Sequence, residues 1–595
     1  MGSRAGEKLR FVFGPPGATE QEMMHTEVQP RRHEGDQRPV IGISPPMQLR
    51  LLSADRLSKG HPYPYLVSSA AAQAEPSLEC DDIIIATTDP DDPTKIKPLP
   101  PDPRNAKNLD YFEFQRRLIL LAGKEMRIQV RRKDQPDPVT IRIPPAYYVS
   151  MGLRMRMGKI TALRNDSTAQ AAGIKDGDII DQVEVQDAKG RTLRWGAVAG
   201  KAPATEGVTQ KNLDPLRLPS ELRQWGGGEK KTKVVTLSLL RTNPPPADFN
   251  PNNHQERKRV VVKVNWDDSW KFNEEKPLNL YSSLSIPELG IAYRVETTVE
   301  AVDTDSPAMA ATVEKPASIK ITKDDVITHQ GQPIQAREGE VVQLEEGDTI
   351  NLKPGDVVKS LQGQALEEPS SRVGLLSRIM NWLGWQPRAA EEAQTNGKRR
   401  LKWVALKADQ WAGVNYSLQL SEVKTVSLKL DRDQLEVSLT AKPDTNWPIA
   451  ERGLLLREDR RLQKATSIGQ ALSMGLDKTY DFITQIFSSI RGLATGQLSP
   501  GLFAGPLRIA KFAYELAGRN IYDFLLFLGM IGVNLAVINF MPIPVLDGGH
   551  MVFLVYEKLR GRPAPEGLRI VATYVGLLLI VCLMVAVLYL DVSWL

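Results

Sequence analysis

At 595 residues the chain is long enough for several domains, and its average is that of a globular protein, 42% hydrophobic and 25% charged. A formal net charge of +5 over that length, without a clustered basic face, excludes nucleic acid as an expected partner. Two cysteines, Cys80 and Cys582, give no disulfide framework, because Cys582 lies in an apolar run suited to lipid.

Residues 1–38 are polar and charged throughout, with neither a signal-peptide pattern nor a transmembrane run. After them a pattern recurs. Its clearest copy is Ser167-Thr-Ala-Gln-Ala-Ala-Gly173-Ile174, followed by Asp176-Gly177-Asp178-Ile179-Ile180. A degraded copy lies upstream, Ser69 to Ala74 and then Asp81-Asp82-Ile83-Ile84. A third begins at Ser306-Pro-Ala-Met-Ala-Ala311 and continues with either Asp324-Asp325-Val326-Ile327 or Gly355-Asp356-Val357-Val358. Each copy predicts a short helix of small residues, a turn and an apolar strand, with alternating strands such as Met126–Val130 and Val234–Leu239 after it.

This pattern resembles the PDZ domain. The resemblance implies three PDZ-like domains, at 39–145, 146–280 and 281–445. Pro90 to Pro103 and Ser360 to Gly397 read as inserted loops, rich in proline, glycine and charge. Met151-Gly152-Leu153-Arg154-Met155 stands where a PDZ domain has its peptide-terminus loop. Gly152 and Leu153 are therefore candidate substrate-binding residues, through backbone N–H groups that meet a carboxylate and a sheet edge that accepts a strand. The alternative is a set of small β-rich domains that bind no peptide.

Residues 446–520 link this region to the C-terminus. Within them Leu472, Leu476, Ile483, Phe487 and Ile490 recur at helical spacing, so Ala471 to Leu493 predicts an amphipathic helix. It is expected either on the membrane face or as an ordinary core helix. Residues 521–595 contain two runs that meet the length needed to span a bilayer, ~20 apolar residues. They are Phe524 to Met541 and Ile570 to Leu590, the second without any charge. Lys558, Arg560, Arg562 and Arg569 between them place that loop in the cytoplasm. The expected fold is multidomain, with β-rich PDZ-like domains followed by an α-helical transmembrane region.

The segment between the runs carries the chemistry: Asn539-Phe-Met-Pro542-Ile-Pro544-Val-Leu546-Asp547-Gly548-Gly549-His550. Two prolines end a helix, and non-helical backbone at membrane depth is tolerated where it lines a cavity or is buried in protein. A carboxylate at such a break is a candidate functional group. On spacing alone, Asp547 could equally cap a helix that begins near His550.

Asn-x-x-Pro-x-Pro-x-Leu-Asp-Gly-Gly resembles the second catalytic segment of the bacterial site-2 proteases, membrane-embedded zinc metalloproteases with PDZ domains. Gly505-Pro506, Asn534 and Tyr556 to Gly561 are similar to further family segments. The resemblance implies that Asp547 is a zinc ligand. It implies that Asn539, Pro542 and Pro544 help hold an unwound substrate strand. It also implies a multi-pass protein of the bacterial inner membrane, with its PDZ-like domains outside the cytoplasm, that cleaves membrane-anchored regulatory proteins. The family's other two ligands come from HExxH, whose two His share one helical face. None of the six histidines here stands four residues from another. The expected explanations, in order, are a truncated chain, a half that pairs with a separate HExxH-bearing chain, and a membrane-anchored PDZ protein without activity.

Overall fold

The computed structural model describes residues 9–13, 24–28, 47–54, 62–103, 105–133, 135–186, 191–196, 208–226, 234–242, 257–273, 275, 277, 280, 282–334, 336–365, 394–395, 398–400, 403–420, 425–459, 465–495, 505–518 and 521–592. They divide into a β-rich unit within Met47–Arg457 and a unit whose described C-terminal part, Glu458–Leu595, is helical.

The β-rich unit has two separate hydrophobic cores. The first underlies β1 (Met47–Leu51), β2 (Ile83–Thr88), helix α1 (Tyr111–Leu120), β3 (Met126–Arg131) and β4 (Val139–Ile143). Strand alternation explains it: Met126, Ile128 and Val130 are fully buried, while Arg127 and Gln129 between them are not. The strand Leu456–Glu458 adds to β1 at the edge, giving the order 456–458, β1, β2, β3, β4. Asp110 caps α1 by accepting from Phe112 N at 2.8 Å and Glu113 N at 3.2 Å. Arg117 of α1 is buried, and it donates to Thr87 Oγ1, to the carbonyls of Lys97 and Pro98 and to Glu113.

Residues 151–441 share the second core. Its eight-stranded sheet includes β5 (Leu153–Leu163), β6 (Ile179–Gln186), β7 (Val234–Thr242), β8 (Arg257–Asn265), β9 (Leu284–Ile286) and β10 (Ile291–Val302). Here β5 runs antiparallel to β10, from Leu153↔Val302 to Leu163↔Ile291. The sheet therefore crosses position 280, where the sequence pattern sets a boundary. Helix α2 (Thr168–Ala171) is the small-residue helix of the second copy, and α3 (Leu218–Gly226) follows before β7. A ten-stranded sheet runs from the strand Ala311–Val313 to the strand Glu436–Thr440, and α4 (Trp411–Leu420) lies beside β10.

The repeats are visible as hydrogen bonds. Ile160 N donates to Asp178 O at 2.7 Å and Gly177 N to Ile160 O at 2.8 Å. Val299 N and Gly355 N repeat this with Asp356 O and Val299 O, at 2.8 and 2.9 Å. The third copy thus continues at Gly355-Asp356, not at Asp324-Asp325. Of the expected inserted loops, the first contains the short strands Ile96–Pro98 and Pro101–Asp102, and most of the second, 366–393, lies outside the described residues.

In the helical part, α5 (Ile468–Ala494), α6 (Pro506–Ala517), α7 (Ile521–Phe540), α8 (Asp547–Arg560) and α9 (Glu566–Val592) follow in order. Both α7 and α9 are long and apolar enough to cross a membrane. Phe512 of α6 meets Phe527 of α7 edge to face, with ring centroids 5.2 Å apart. Along α5 the apolar residues Leu472, Leu476 and Phe487 stand exposed, which does not fit the ordinary core helix.

Candidate functional site

Helix α7 ends at Phe540 because Pro542 and Pro544 withhold the N–H groups of the next turn. Between the helices the chain makes a tight irregular loop, with Ile543 N on Met541 O at 2.7 Å and Leu546 N on Ile543 O at 3.0 Å. Val545 takes a φ of +97°, a left-handed conformation rare for a β-branched residue. Helix α8 then starts at Asp547. Leu546 is its N-cap, with no side-chain cap bond, so Asp547 is not the cap of this helix. Among the described residues the Asp547 carboxylate has no hydrogen-bond or ion-pair partner, and the residue is exposed. Asn539 is half-buried in the last turn of α7, Pro544 is half-buried and Pro542 is exposed.

Three glycines hold this loop. A Cβ on Gly548 would overlap Met541 O, and one on Gly549 would overlap Ile543 O. Gly576, in the middle of α9, does the same from the other side, since a Cβ there would overlap Pro544 O. The motif signals the first two. Gly576 lies 29 positions beyond Asp547 in an apolar run and carries no signal of its own.

The second candidate set lies in the β-rich unit. Gly152 has φ +80°, and Leu153 is buried in the second core. Gly152 packs on Ser306, which opens the third copy, and not on Ser167 of its own copy. Gly290 packs on Ser167 and Gly453 on Ser69. The Gly152 loop lines a small pocket with Ser150, Met151, Asp214, Trp411 and Trp447. Burial pushes Asp214 up to about 6, against the pull of Arg217. The sequence reading missed Gly290 and Gly453, although Leu289-Gly290-Ile291 and Gly453-Leu454 repeat the Gly152-Leu153 pattern.

Among the described residues no three His, Cys, Asp or Glu side chains gather in a way that could hold a metal ion. Asp547 alone does not make a zinc site.

The model of peptidase family M50 matches residues 196–583. The regulator of sigma-E protease RseP of Salmonella typhimurium (strain 14028s) is 28% identical over 242 residues, which is 38% of this chain and 54% of that protein. Protease RseP of Photorhabdus luminescens is 30% identical over 216 residues, 34% of this chain and 96% of that protein. A putative zinc metalloprotease of Agrobacterium fabrum is 36% identical over 127 residues, 21% of this chain and 34% of that protein. The chain spans about half the length of the Salmonella relative. A match that covers well over half of the chain, and contains the whole α7–α8 motif, means that the chain belongs to peptidase family M50.

Proposed function

We propose that this chain carries the carboxylate-ligand half of a zinc-dependent intramembrane peptidase acting on membrane-anchored proteins. The observation that carries the reading is the Asp547 carboxylate, exposed and unpaired among the described residues, at the break that ends the apolar helix α7 and starts α8. Family membership, and the name of the Agrobacterium relative, support zinc as the ion. Asp547 is the ligand, and Asn539, Pro542 and Pro544 hold the substrate strand. The β-rich domains screen substrates outside the cytoplasm, and the protein sits in the bacterial inner membrane.

A catalytic zinc takes three protein ligands and a water. The other two therefore come from an HExxH-bearing segment outside these 595 residues, in cis or on a partner chain. The ligand count also supports a second reading, a membrane-anchored peptide-binding protein without activity.

Zinc content separates the two. The chain alone, purified in detergent with excess zinc, is expected to hold none. Co-expressed with an HExxH-bearing segment of a family member, it is expected to hold one zinc per complex and to cleave a membrane-anchored reporter. Asp547→Ala should remove the metal, and Asp547→Asn, with the shape kept and the charge lost, should reduce cleavage severely. Near-normal cleavage by Asp547→Asn would refute the ligand assignment, and zinc that never binds would favour the second reading.

A further inference from the structure

We propose that the turn between α8 and α9 is a binding site for anionic phospholipid, with the headgroup on its lysine and arginines and the start of the acyl chains on the leucines beside them. The proposal is independent of the reading of Asp547 and rests on the reading of α9 as a membrane span. The geometry puts both helix ends at one level. Gly576 of α9 packs against the Pro544 carbonyl, just before α8 begins. From there α8 runs to Arg560, about 20 Å at 1.5 Å per residue. Back from Gly576, the start of α9 at Glu566 lies about 15 Å away. Residues 561–565 join the two ends, so both emerge on the same side of that contact.

The composition changes at that level on both helices. Met551 to Val555 of α8 and the run of α9 from Ile570 are apolar, and between them stand Glu557, Lys558, Arg560, Arg562, Glu566 and Arg569. With α9 in the bilayer, these charges lie at the depth of the headgroups. A charge bias alone fixes only the orientation of a loop, and the structure carries more than a bias. All four cations are exposed. Among the described residues none of them pairs with a carboxylate, although Glu557 and Glu566 lie in the same stretch. Lys558 and Arg560 suit the C-terminal end of α8, but Arg569 stands near the N-terminal end of α9, where the helix dipole disfavours a cation. An anion from outside the chain supplies the missing partner.

The backbone that carries these cations is held in place. Gly561 takes a φ of +66°, and its N–H donates to Glu557 O at 2.8 Å to close α8. Leu568 N and Arg569 N both donate to Pro565 O, at 3.0 and 3.2 Å, and Ala564 between two prolines is buried. Arg560 is fixed as well: its Nη1 donates to the Tyr556 hydroxyl at 2.7 Å, and its guanidinium lies 5.6 Å from the centre of that ring. A site organised before binding loses little entropy when it is filled. The neighbouring apolar side chains separate a lipid from a soluble anion. Leu559, between Lys558 and Arg560, is 83% exposed, and Leu568, beside Arg569, is 53% exposed. Leucines among cations match the boundary between headgroups and acyl chains, whereas inorganic phosphate gains nothing from them. Four cations against two carboxylates leave a net positive charge, which favours phosphatidylglycerol over the zwitterionic phosphatidylcholine.

The test uses the full chain in nanodiscs made of equal parts phosphatidylglycerol and phosphatidylcholine. Native mass spectrometry of the released chain counts the lipids that stay bound. Phosphatidylglycerol should exceed phosphatidylcholine about tenfold among them, the scale set by a few cations near a membrane surface. The combined variant Lys558→Gln, Arg560→Gln, Arg562→Gln and Arg569→Gln should bring the two lipids to parity. Arg560→Lys with Arg562→Lys and Arg569→Lys should keep the preference, and so should Arg508→Gln with Lys511→Gln, which removes cations of α6 instead. Hydrogen exchange needs no substitution: residues 557–569 should exchange more slowly in phosphatidylglycerol discs than in phosphatidylcholine discs. Equal retention of the two lipids, equal exchange in the two kinds of disc, a preference that survives the four glutamines, or one abolished by millimolar glycerol 3-phosphate would each overturn the proposal. A chain that alkaline carbonate strips from vesicles would refute the span itself, whereas one that stays in them without a lipid preference would refute this site alone.

Discussion

Two carboxylates in the β-rich unit show how burial and partners set ionisation in opposite directions. Glu113 accepts from Arg116 at 2.7 Å and from Arg117 at 2.8 Å, and the Arg116 bond above all holds it down to about 2. Its folded pKa lies below the unfolded value, so its contribution is present above the unfolded pKa and is lost as pH falls towards 2. Glu113→Gln leaves the buried Arg117 with neutral partners only, and about 2 kcal/mol of stability should be lost at pH 7. A fall in thermal midpoint relative to the unsubstituted chain would show it. Asp214 has the opposite sign. With its folded pKa raised to about 6, stability is greatest below the unfolded pKa and declines as pH rises through 6. Thermal midpoints measured from pH 4 to pH 7.5 should therefore fall more for the unsubstituted chain than for Asp214→Asn. An identical pH dependence in the two would contradict the burial argument.

At the scale of elements, the loop between α7 and α8 is held by its own hydrogen bonds and by helix α9 against it. Gly576 lets α9 approach the Pro544 carbonyl. Backbone cannot move aside as a flexible side chain can, so Gly576→Val should cost about 2 kcal/mol through overpacking. A thermal midpoint unchanged in detergent would mean that α9 does not clamp the loop. The helices and the motif were legible in the sequence because apolar runs and paired prolines act locally: the run from Phe524 became α7, and Leu472, Leu476 and Phe487 fell on one helix. Strand partners were less legible. Gly152-Leu153 looks the same whichever serine it packs on, and choosing Ser306 over Ser167 takes contacts more than 100 residues apart. The left-handed Val545 gave no sign either, since glycine is the residue that usually marks that conformation.

For the whole molecule, sidedness decides what the β-rich unit can meet. We propose that α7 and α9 both span, which makes one excursion and puts residues 1–465 and the C-terminal tail on one side and the loop from Tyr556 to Arg569, with its four cations, in the cytoplasm. A reporter active only outside the cytoplasm, placed at Gly228 and separately at Gly561, should respond at Gly228 when an HExxH-bearing half is present. Response at Gly561 alone would reverse the topology and remove the idea of external screening. The interlocked glycines have a consequence of another kind, for the order in which the chain matures on the ribosome. Gly290 closes on Ser167, the strand from Gly152 lies along one that ends near Ser306, and Gly453 closes on Ser69. The sheet over the first core is thus completed late, waiting for a segment almost 400 residues downstream of Ser69. Long-range closure of that kind is slow, and until residue 453 emerges the edge of β1 is exposed to any passing strand, which makes the nascent first domain the stage most in need of a chaperone.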